Sequence, residues 1–434
     1  MSKQYQRKAP DAIGEGVIVE RVAVTLGQIA VNASEGLLAL ATDAGLQVMA
    51  AMMAADVEAL CGPKGKHNPD RVAYRHAMED GSVSLGGRRV PVRRPRVRAA
   101  DGSGEVPIPT YETFADPAVL SGLAMQKMLA GLSCRGYAPA GLEPVGRQVQ
   151  QAASATSKSA VSRRFVTATS KALGELLSVD LRDLDLVVLM IDGVYFAEHL
   201  CIVALGIDIE GRKHPLALVA GSTENTTTVK DLLVGLRERG LDVTRPVLAV
   251  LDGSKALAAG VREIFDSPVI ARCQVHKIRN VADKLPKRLR SVVKARMQAA
   301  YAADSVIDAE SKLGVLAAEL DKSHPAAAGS LREGLSETLT VLRLDIPPAL
   351  ARSLRSTNAV ESMISIARTH SRNVKNWKDT DMTLRWCAAG MLEAKQQFRR
   401  IKGHMHLPKL QAKLAEATTK NVSPPSYTDN RTAA

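Results

Sequence analysis

Two aspartates stand where apolar runs give out. Asp192 follows the apolar part of "LDLVVLMIDGVYF" (residues 184–196), and Asp252 follows that of "RPVLAVLDGSKALAAGVREIF" (residues 245–265). A lone carboxylate beside a buried strand is costly unless it is paired or binds a cation. Each is followed by glycine, which lets the backbone turn and lets another group approach. Two carboxylates from neighbouring strand ends would form a hard-oxygen site suited to Mg²⁺. The competing reading is that each caps the next turn or helix. That reading fits Asp252, because "DGSKAL" opens a helix. It fits Asp192 less well, because a strand follows directly. A third carboxylate, Glu361, lies in "RSLRSTNAVESMISIARTHSRNVKNWKD". There Asn358 opens a helix whose buried stripe is Val360, Ile364 and Ala367. Glu361 falls in the first turn, where the helix dipole favours an ionised acid. Asn358 to Glu361 also has the N-x-x-E spacing of a capping box, and local sequence alone favours the cap.

The surrounding pattern sets how these residues are held. From residue 184 three strand-like runs, "LDLVVLMIDGVYF", "HLCIVALGIDIEG" and "HPLALVAGS", are joined by short turns and predict an antiparallel meander. A helix over 226–240, a strand over 246–251, a helix from about residue 254 and a strand ending near Cys273 follow. The order βββαβαβ is that of a ribonuclease-H-like core, so the fold class is α/β with a mixed sheet. Residues between Cys273 and about Arg355 read as helix throughout, an insertion before the closing helix of Glu361.

The chain has 434 residues, 46% of them hydrophobic and 3% aromatic, which predicts aliphatic, alanine-rich cores and two to four domains. The formal net charge of +13 points to a polyanionic partner, nucleic acid first. Arg88, Arg89, Arg93, Arg94, Arg96 and Arg98 fall in one stretch that no acid interrupts. Valines alternate with them, and Pro91 and Pro95 suggest an edge strand or extended arm. Arginine forks suit phosphate; the alternative is a charged edge that resists aggregation. Residues 154–177 read as a turn leading into a helix that carries Arg163 and Arg164, as in a helix-turn-helix, though any amphipathic helix with two arginines would look alike. Arg368, His370, Arg372, Lys375 and Lys378 form a further basic run, suited to a passing DNA strand or to solvent. The five cysteines are scattered and odd in number, which argues against a disulfide framework and for a reducing compartment. No uninterrupted apolar run reaches the roughly 18 residues of a membrane span, and the polar N-terminus does not read as a signal peptide. A cytoplasmic, nucleoid-associated protein without a membrane is expected.

The organisation expected is a helical region at 1–62, a basic arm or hairpin at 63–115, a mostly helical DNA-binding region at 116–180, the ribonuclease-H-like core at 181–276, a helical insertion at 277–355, the end of the core with the Glu361 helix at 356–407, and a disordered tail at 408–434.

"MIDGVYF", "VLDGSKAL", "RCQVHKIRNV" and "STNAVES" together resemble the Mutator-type DDE transposases of bacterial insertion sequences. "RRVPVRRPRVRAADGSGEVPIPTY" also resembles that family's N-terminal "VPR-x-R-DG-x-F-x-P" segment, with Glu105-Val106 where the family often has Phe-Glu. The resemblance covers most of the chain. It implies a triad of Asp192, Asp252 and Glu361 that holds two Mg²⁺ ions, with Mn²⁺ as a substitute, for in-line attack of water or a DNA 3′-hydroxyl on a phosphodiester. The implied partners are the terminal inverted repeats and target DNA, bound by a homodimer or higher oligomer. Cys273 and His276 match the family's C-x-x-H motif. Zinc there would need two more ligands, for which only His404 and His406 offer themselves. The functional reading sets His276 beside the active site; the bland reading is a packed cysteine and a surface histidine. Of the two tryptophans, Trp377 could stack on an unpaired base, and Trp386 reads as a core anchor. Two other readings compete: a ribonuclease-H-like nuclease such as a junction resolvase, and an inactive protein that binds transposon ends.

Overall fold

The computed structural model describes residues 33–422, apart from 67, 70, 144, 146 and 222–224. The expectations for the polar N-terminus and for residues beyond 422 lie outside the described residues. The chain divides into two compact units, Met1–Ala168 and Thr169–Ala434.

In the first unit an alanine-rich helix, Ala33–Cys61, precedes a long hairpin. Strand β1 (Ala73–Leu85) pairs antiparallel along its length with β2 (Arg88–Ala99), and the two-residue β3 (Glu105–Val106) adds to the far end of β2. Met49, Met53, Val57 and Cys61 of the helix pack on Val83, Val90 and Val97 of the hairpin. By length and composition Ala39–Cys61 could cross a membrane; its buried methionine and valine stripe lies instead on a sheet. Asp116 caps the helix Pro117–Leu129 by accepting from Ala118 N at 2.8 Å, as its sequence position predicts. Short helices at Tyr137–Ala140 and Arg147–Ala152 follow, and then the long helix Lys158–Ser178.

The second unit is built on a five-stranded sheet. Its strands are β4 (Leu186–Phe196), β5 (His199–Asp208), β6 (Lys213–Gly221), β7 (Val247–Leu251) and β8 (Pro268–Arg272), in the spatial order β6-β5-β4-β7-β8. β4, β5 and β6 form the antiparallel meander, and β7 and β8 continue it in parallel with β4. Strand periodicity sends alternate side chains to opposite faces. Val188, Met190, Leu248, Val250 and Ala271 enter one core, which is closed by the helices Asn358–Ser371, Thr380–Gln396 and Leu407–Val422. Leu189, Ile191, Ala249, Leu251 and Ile270 enter the other, closed by Thr226–Glu238 and Lys255–Ile264. Residues 273–355 form helices joined by short turns, with no strand, and have a third core of their own around Val281, Met297, Leu313 and Leu331.

Two expectations are corrected. Asp192 does not end its strand: β4 runs on to Phe196, and Asp192 pairs with Val203 of β5. What ends there is the neighbouring β7, whose last residue Leu251 pairs with Ile191. Nor is the chain from 408 to 422 disordered. Leu407, Leu410 and Leu414 form a helical stripe with no exposed surface. Burying each is worth about 1.5–3 kcal/mol, enough to dock an otherwise polar helix.

Candidate active site

Register and parity build the site. In the parallel ladders Ile191 pairs with Leu251, and Leu251 with Arg272. One residue further along each strand therefore come Asp192, Asp252 and Cys273, side by side on strands about 4.8 Å apart. Cys273 N still donates to Leu251 O at 2.7 Å, which holds that rung together. By alternation all three side chains share the face of Met190, Val250 and Ala271. The helix Asn358–Ser371 covers that face and seats Val360, Met363, Ile364 and Ala367 in the core. Glu361, in its first turn, is thereby brought to the same end of the sheet.

The electrostatics show that these acids meet. Burial, and after it the negative charge of Asp252, pushes the Asp192 carboxyl up to about 7; Glu361 adds to the rise, while the His276 ring opposes it. The capping reading holds for Asp252 as a turn but not as a helix cap, and it fails for Glu361. Asp252 Oδ1 accepts from Ser254 N at 2.8 Å, but Ser254 is the N-cap of the following helix. Asn358 is the first residue of its helix, whose N-cap position is Thr357 and which has no side-chain cap, so the N-x-x-E box does not form. Glu361 Oε1 instead accepts from Thr357 Oγ1 at 2.6 Å.

Thr357 is a residue that the sequence did not single out. Fully buried, its hydroxyl lies 3.3 Å from His276 Nδ1 and 3.4 Å from Cys273 Sγ. Cys273 caps the helix Gln274–Asp283 and accepts from His276 N at 3.5 Å, so C-x-x-H places its two side chains within one helical turn. Burial alone would raise the Cys273 thiol; hydrogen bonds with His276 and Thr357 outweigh it and lower the thiol below its ordinary value. The contact with Cys273 is the main reason His276 is held above its usual value, with Glu361 and Asp192 adding to it. Cys273, His276 and Glu361 keep their ligand atoms within 4.8 Å of one another. Glu361, rather than His404 or His406, is thus the third polar neighbour of the motif. His404 packs on Gly211 in the turn between β5 and β6.

The basic candidates scatter. Arg88 is buried and bonds Gln150 Oε1 and Glu143 O, and Arg89 donates to Ser82, Ser84 and the Ala115 carbonyl. Arg94 meets Glu79 at 2.6 Å and lies over the Tyr111 ring, while Arg96 forks onto Glu105. The acid-free run therefore finds its acids across the sheet, and only Arg93 and Arg98 stand exposed. Arg163 is exposed, whereas Arg164 turns to Ala155 O at 2.7 Å. Arg368, Arg372 and Lys375 are exposed at the end of the Glu361 helix and beyond it. Trp386 is the core anchor expected. Trp377 is half-buried between it and Phe196, with ring centroids 6.5 and 4.9 Å away.

The fold is of the mixed α/β class, with acids gathered on one rung beside the end of β7, and comparison assigns the chain to a family. Residues 23–401 match the model of the family described as "Transposase, Mutator family". The chain belongs to that family. It is 25% identical over 359 residues to the transposase for insertion sequence element ISRM5 of Rhizobium meliloti (strain 1021), covering 81% of this chain and 87% of that protein. It is 31% identical over 175 residues to the transposase for element IST2 of Acidithiobacillus ferrooxidans, a stretch of 40% of this chain and 58% of that one. It is 31% identical over 202 residues to the transposase for element IS6120 of Mycolicibacterium smegmatis, 45% of this chain and 61% of that one.

Proposed function

We propose that the chain is a DDE transposase of an insertion sequence, which binds terminal inverted repeats and carries out metal-dependent strand cleavage and strand transfer. The observation that carries this is the carboxylate rung: Asp192 and Asp252 side by side, with Glu361 brought to the same end of the sheet, and an Asp192 carboxyl raised first by burial and then by the charge of Asp252, with Glu361 adding to it. Structural ion pairs lower a carboxylate; a buried carboxyl raised further by the charge of neighbouring acids marks a place that a cation would stabilise. The strand order and the mixed sense of the ladders support a ribonuclease-H-like reading of the core.

The donor set fits Mg²⁺: three hard carboxylates, of which Asp192 and Asp252 each have one oxygen placed by a backbone amide, that of Gly193 at 2.9 Å and that of Ser254 at 2.8 Å. Asp192, Asp252 and Glu361 would hold the two ions, with Mn²⁺ as a substitute. When bound, the ions supply Lewis-acid polarisation and charge neutralisation for in-line phosphodiester attack. The protein's share is orientation. Thr357 fixes one oxygen of Glu361 by a hydrogen bond. His276, 3.7 Å from that carboxylate and held towards its cationic form, faces an anionic phosphate or steadies Glu361. Arg368, Arg372 and Lys375 offer phosphate contacts beside the site, and in the first unit Arg93, Arg98 and Arg163 offer exposed cations. Double-stranded DNA, both transposon ends and target, is the partner, bound by a dimer or higher oligomer.

The test is incubation of the purified chain with a duplex that carries the DNA flanking its reading frame. Strand cleavage at the element's ends, present in Mg²⁺ and absent in EDTA, is the expected outcome. End binding without cleavage in either condition would leave an inactive end-binding protein.

A further inference from the structure

Two buried cations bracket the C-x-x-H motif. Arg272, the last residue of β8, is 7% exposed, and Lys277, one helical turn into the next element, has no exposed surface. Both reach the same place, the C-terminal end of the helix Pro325–Arg332 in the helical insertion. Lys277 Nζ donates to Ser330 O at 2.5 Å and to Glu333 O. Arg272 Nη1 donates to Glu333 O at 3.2 Å, and Nη2 lies 3.5 Å from the half-exposed Glu333 carboxylate. Helix C-termini attract cations. Two buried cations on one such end, with a single acid to share, are nonetheless more than docking alone would select.

The two cations differ in one respect. The Arg272 guanidinium is wedged between two glycines: a methyl group on Gly253 would collide with Arg272 Nε, and one on Gly334 with Nη1. Both glycines have positive φ, +110° and +62°, so neither position tolerates a side chain. Gly253 directly follows Asp252. The flat guanidinium therefore lies against the peptide that carries the second carboxylate, while its other edge is bonded to the insertion. Lys277 shares the carbonyls but not the glycine contact. Further bonds hold the returning end of the insertion to the sheet, Gln274 Nε2 to Thr338 O at 3.1 Å and Thr340 Oγ1 to Ile270 O at 2.8 Å.

We propose that Arg272 is a positioning residue for Asp252, a wedge through which the end of the helical insertion sets the backbone of the second carboxylate. This rests on the reading of Asp192, Asp252 and Glu361 as the cation-binding set. The insertion thereby has a task at the site besides its own core: it holds one wall of the carboxylate rung.

The test is Mn²⁺ binding to the full chain, followed by electron paramagnetic resonance, beside thermal melts of the same preparations. Arg272→Lys keeps the charge and most of the stem but has no plane to lay on Gly253, and it should weaken Mn²⁺ binding by about tenfold, as loss of groups that orient metal ligands does. Arg272→Met, which keeps the stem alone, should weaken it at least as much, and carries the test if the lysine variant does not fold. Lys277→Met should lower the melting temperature and leave Mn²⁺ affinity within about twofold, since its side chain bonds the Ser330 and Glu333 carbonyls and not the peptide of a carboxylate. Asp252→Ala should remove most of the binding. If Asp252→Ala loses Mn²⁺ but the Arg272 variants bind it as wild type does, or if Lys277→Met shifts affinity as much as they do, Arg272 is only a latch and the proposal falls. If Asp252→Ala itself binds Mn²⁺ normally, the carboxylate reading falls, and the positioning role with it.

Discussion

In β2, Arg94 and Arg96 face Glu79 and Glu105 across the sheet, whereas beside the end of β7 Asp252 and Glu361 add their charge to that of the buried Asp192. Both stretches gather like charges in sequence or space, and the fold treats them in opposite ways. The arginines are compensated: Glu105 is held below the usual carboxylate range by its hydrogen bond to Arg96. The acids are compensated only in part: the His276 ring and the Gly193 amide oppose the rise, yet burial, and after it the charge of Asp252, pushes Asp192 up to about 7. A fold tolerates a partly compensated cluster at a cost in stability, and such clusters gather at functional sites. Density of one charge along the sequence is therefore a weaker sign of function than incomplete compensation in space.

The largest expected effect breaks the acid side of this comparison. Asp192→Ala, Asp252→Ala and Glu361→Gln should each abolish nicking and joining of element ends in Mg²⁺ while end binding persists. Glu361→Gln should also melt close to wild type, because glutamine still accepts from the Thr357 hydroxyl but offers a metal only a neutral carbonyl. Asn358→Ala, which would weaken a true capping box by about 1 kcal/mol, should leave the melt nearly unchanged, because the helix has its N-cap position at Thr357 and no side-chain cap. Cleavage by Glu361→Gln at near the wild-type rate would remove it from the site.

A smaller effect is expected one step out. Thr357→Val keeps the shape and removes the hydroxyl that fixes Glu361 Oε1. The half-saturating Mg²⁺ concentration for cleavage should rise by about tenfold or more, within the range seen when partners of ligands are removed. Mn²⁺, which is less strict about geometry, should restore part of the rate. A melt lowered with no change in metal requirement would show Thr357 to be packing alone.

What the sequence revealed, and what it hid, follows the range of the interactions. The strands of the second unit were legible because Val, Leu and Ile runs bounded by Gly and Pro report burial locally. The pairing of Asp192 with Asp252 was legible because each follows such a run. The continuation of β4 past Asp192 was not, because it depends on where the neighbouring strand stops. The acids opposite Arg94 and Arg96 were hidden for a like reason: Glu79 precedes them on β1 and Glu105 follows on β3, and only the registers of β1 with β2 and of β2 with β3 bring them together. Thr357 and Arg272 carried no signal of their own, since a hydroxyl or a cation acquires a role only from what folds against it. The helix over Leu407–Val422 was hidden by its polar exposed face.

Acidity sharpens the comparison further. The folded Asp192 carboxyl titrates near 7, above its ordinary value of 3.8. A carboxyl raised on folding contributes stability that is complete below about pH 4 and is lost as pH climbs through about 7. The metal-free protein should therefore melt lower at pH 8 than at pH 5.5 on account of this group, and Asp192→Asn should flatten that slope and melt a few degrees higher at pH 8. Because Mg²⁺ must displace the same proton, its half-saturating concentration should rise by up to about tenfold for each pH unit below 7. A melting profile identical in wild type and Asp192→Asn would show that the acids do not strain one another.

The smallest effect tests the compensated side. Arg94 and Arg96 are occupied by Glu79 and Glu105, so replacing them should lower the melting temperature slightly and change DNA binding little. Arg93 and Arg98 stand exposed on the same strand. Arg93 has one loose ion pair with Asp80 at 3.6 Å, between two well-exposed side chains. If the hairpin touches phosphate, these two do it. The double variant Arg93→Ala, Arg98→Ala should flatten the salt dependence of DNA binding by up to about 0.9 log units for each phosphate no longer neutralised, without favouring one DNA sequence over another. The double variant Arg94→Ala, Arg96→Ala should lower the melting temperature and leave the slope in place. The measurement is the dissociation constant across a salt series for both variants, beside their melts. If the two variants flatten the slope equally, phosphate displaces Glu79 and Glu105 on binding, and the compensation seen across the hairpin belongs to the free protein alone. If neither does, the hairpin is a solvated edge whose arginines serve the sheet.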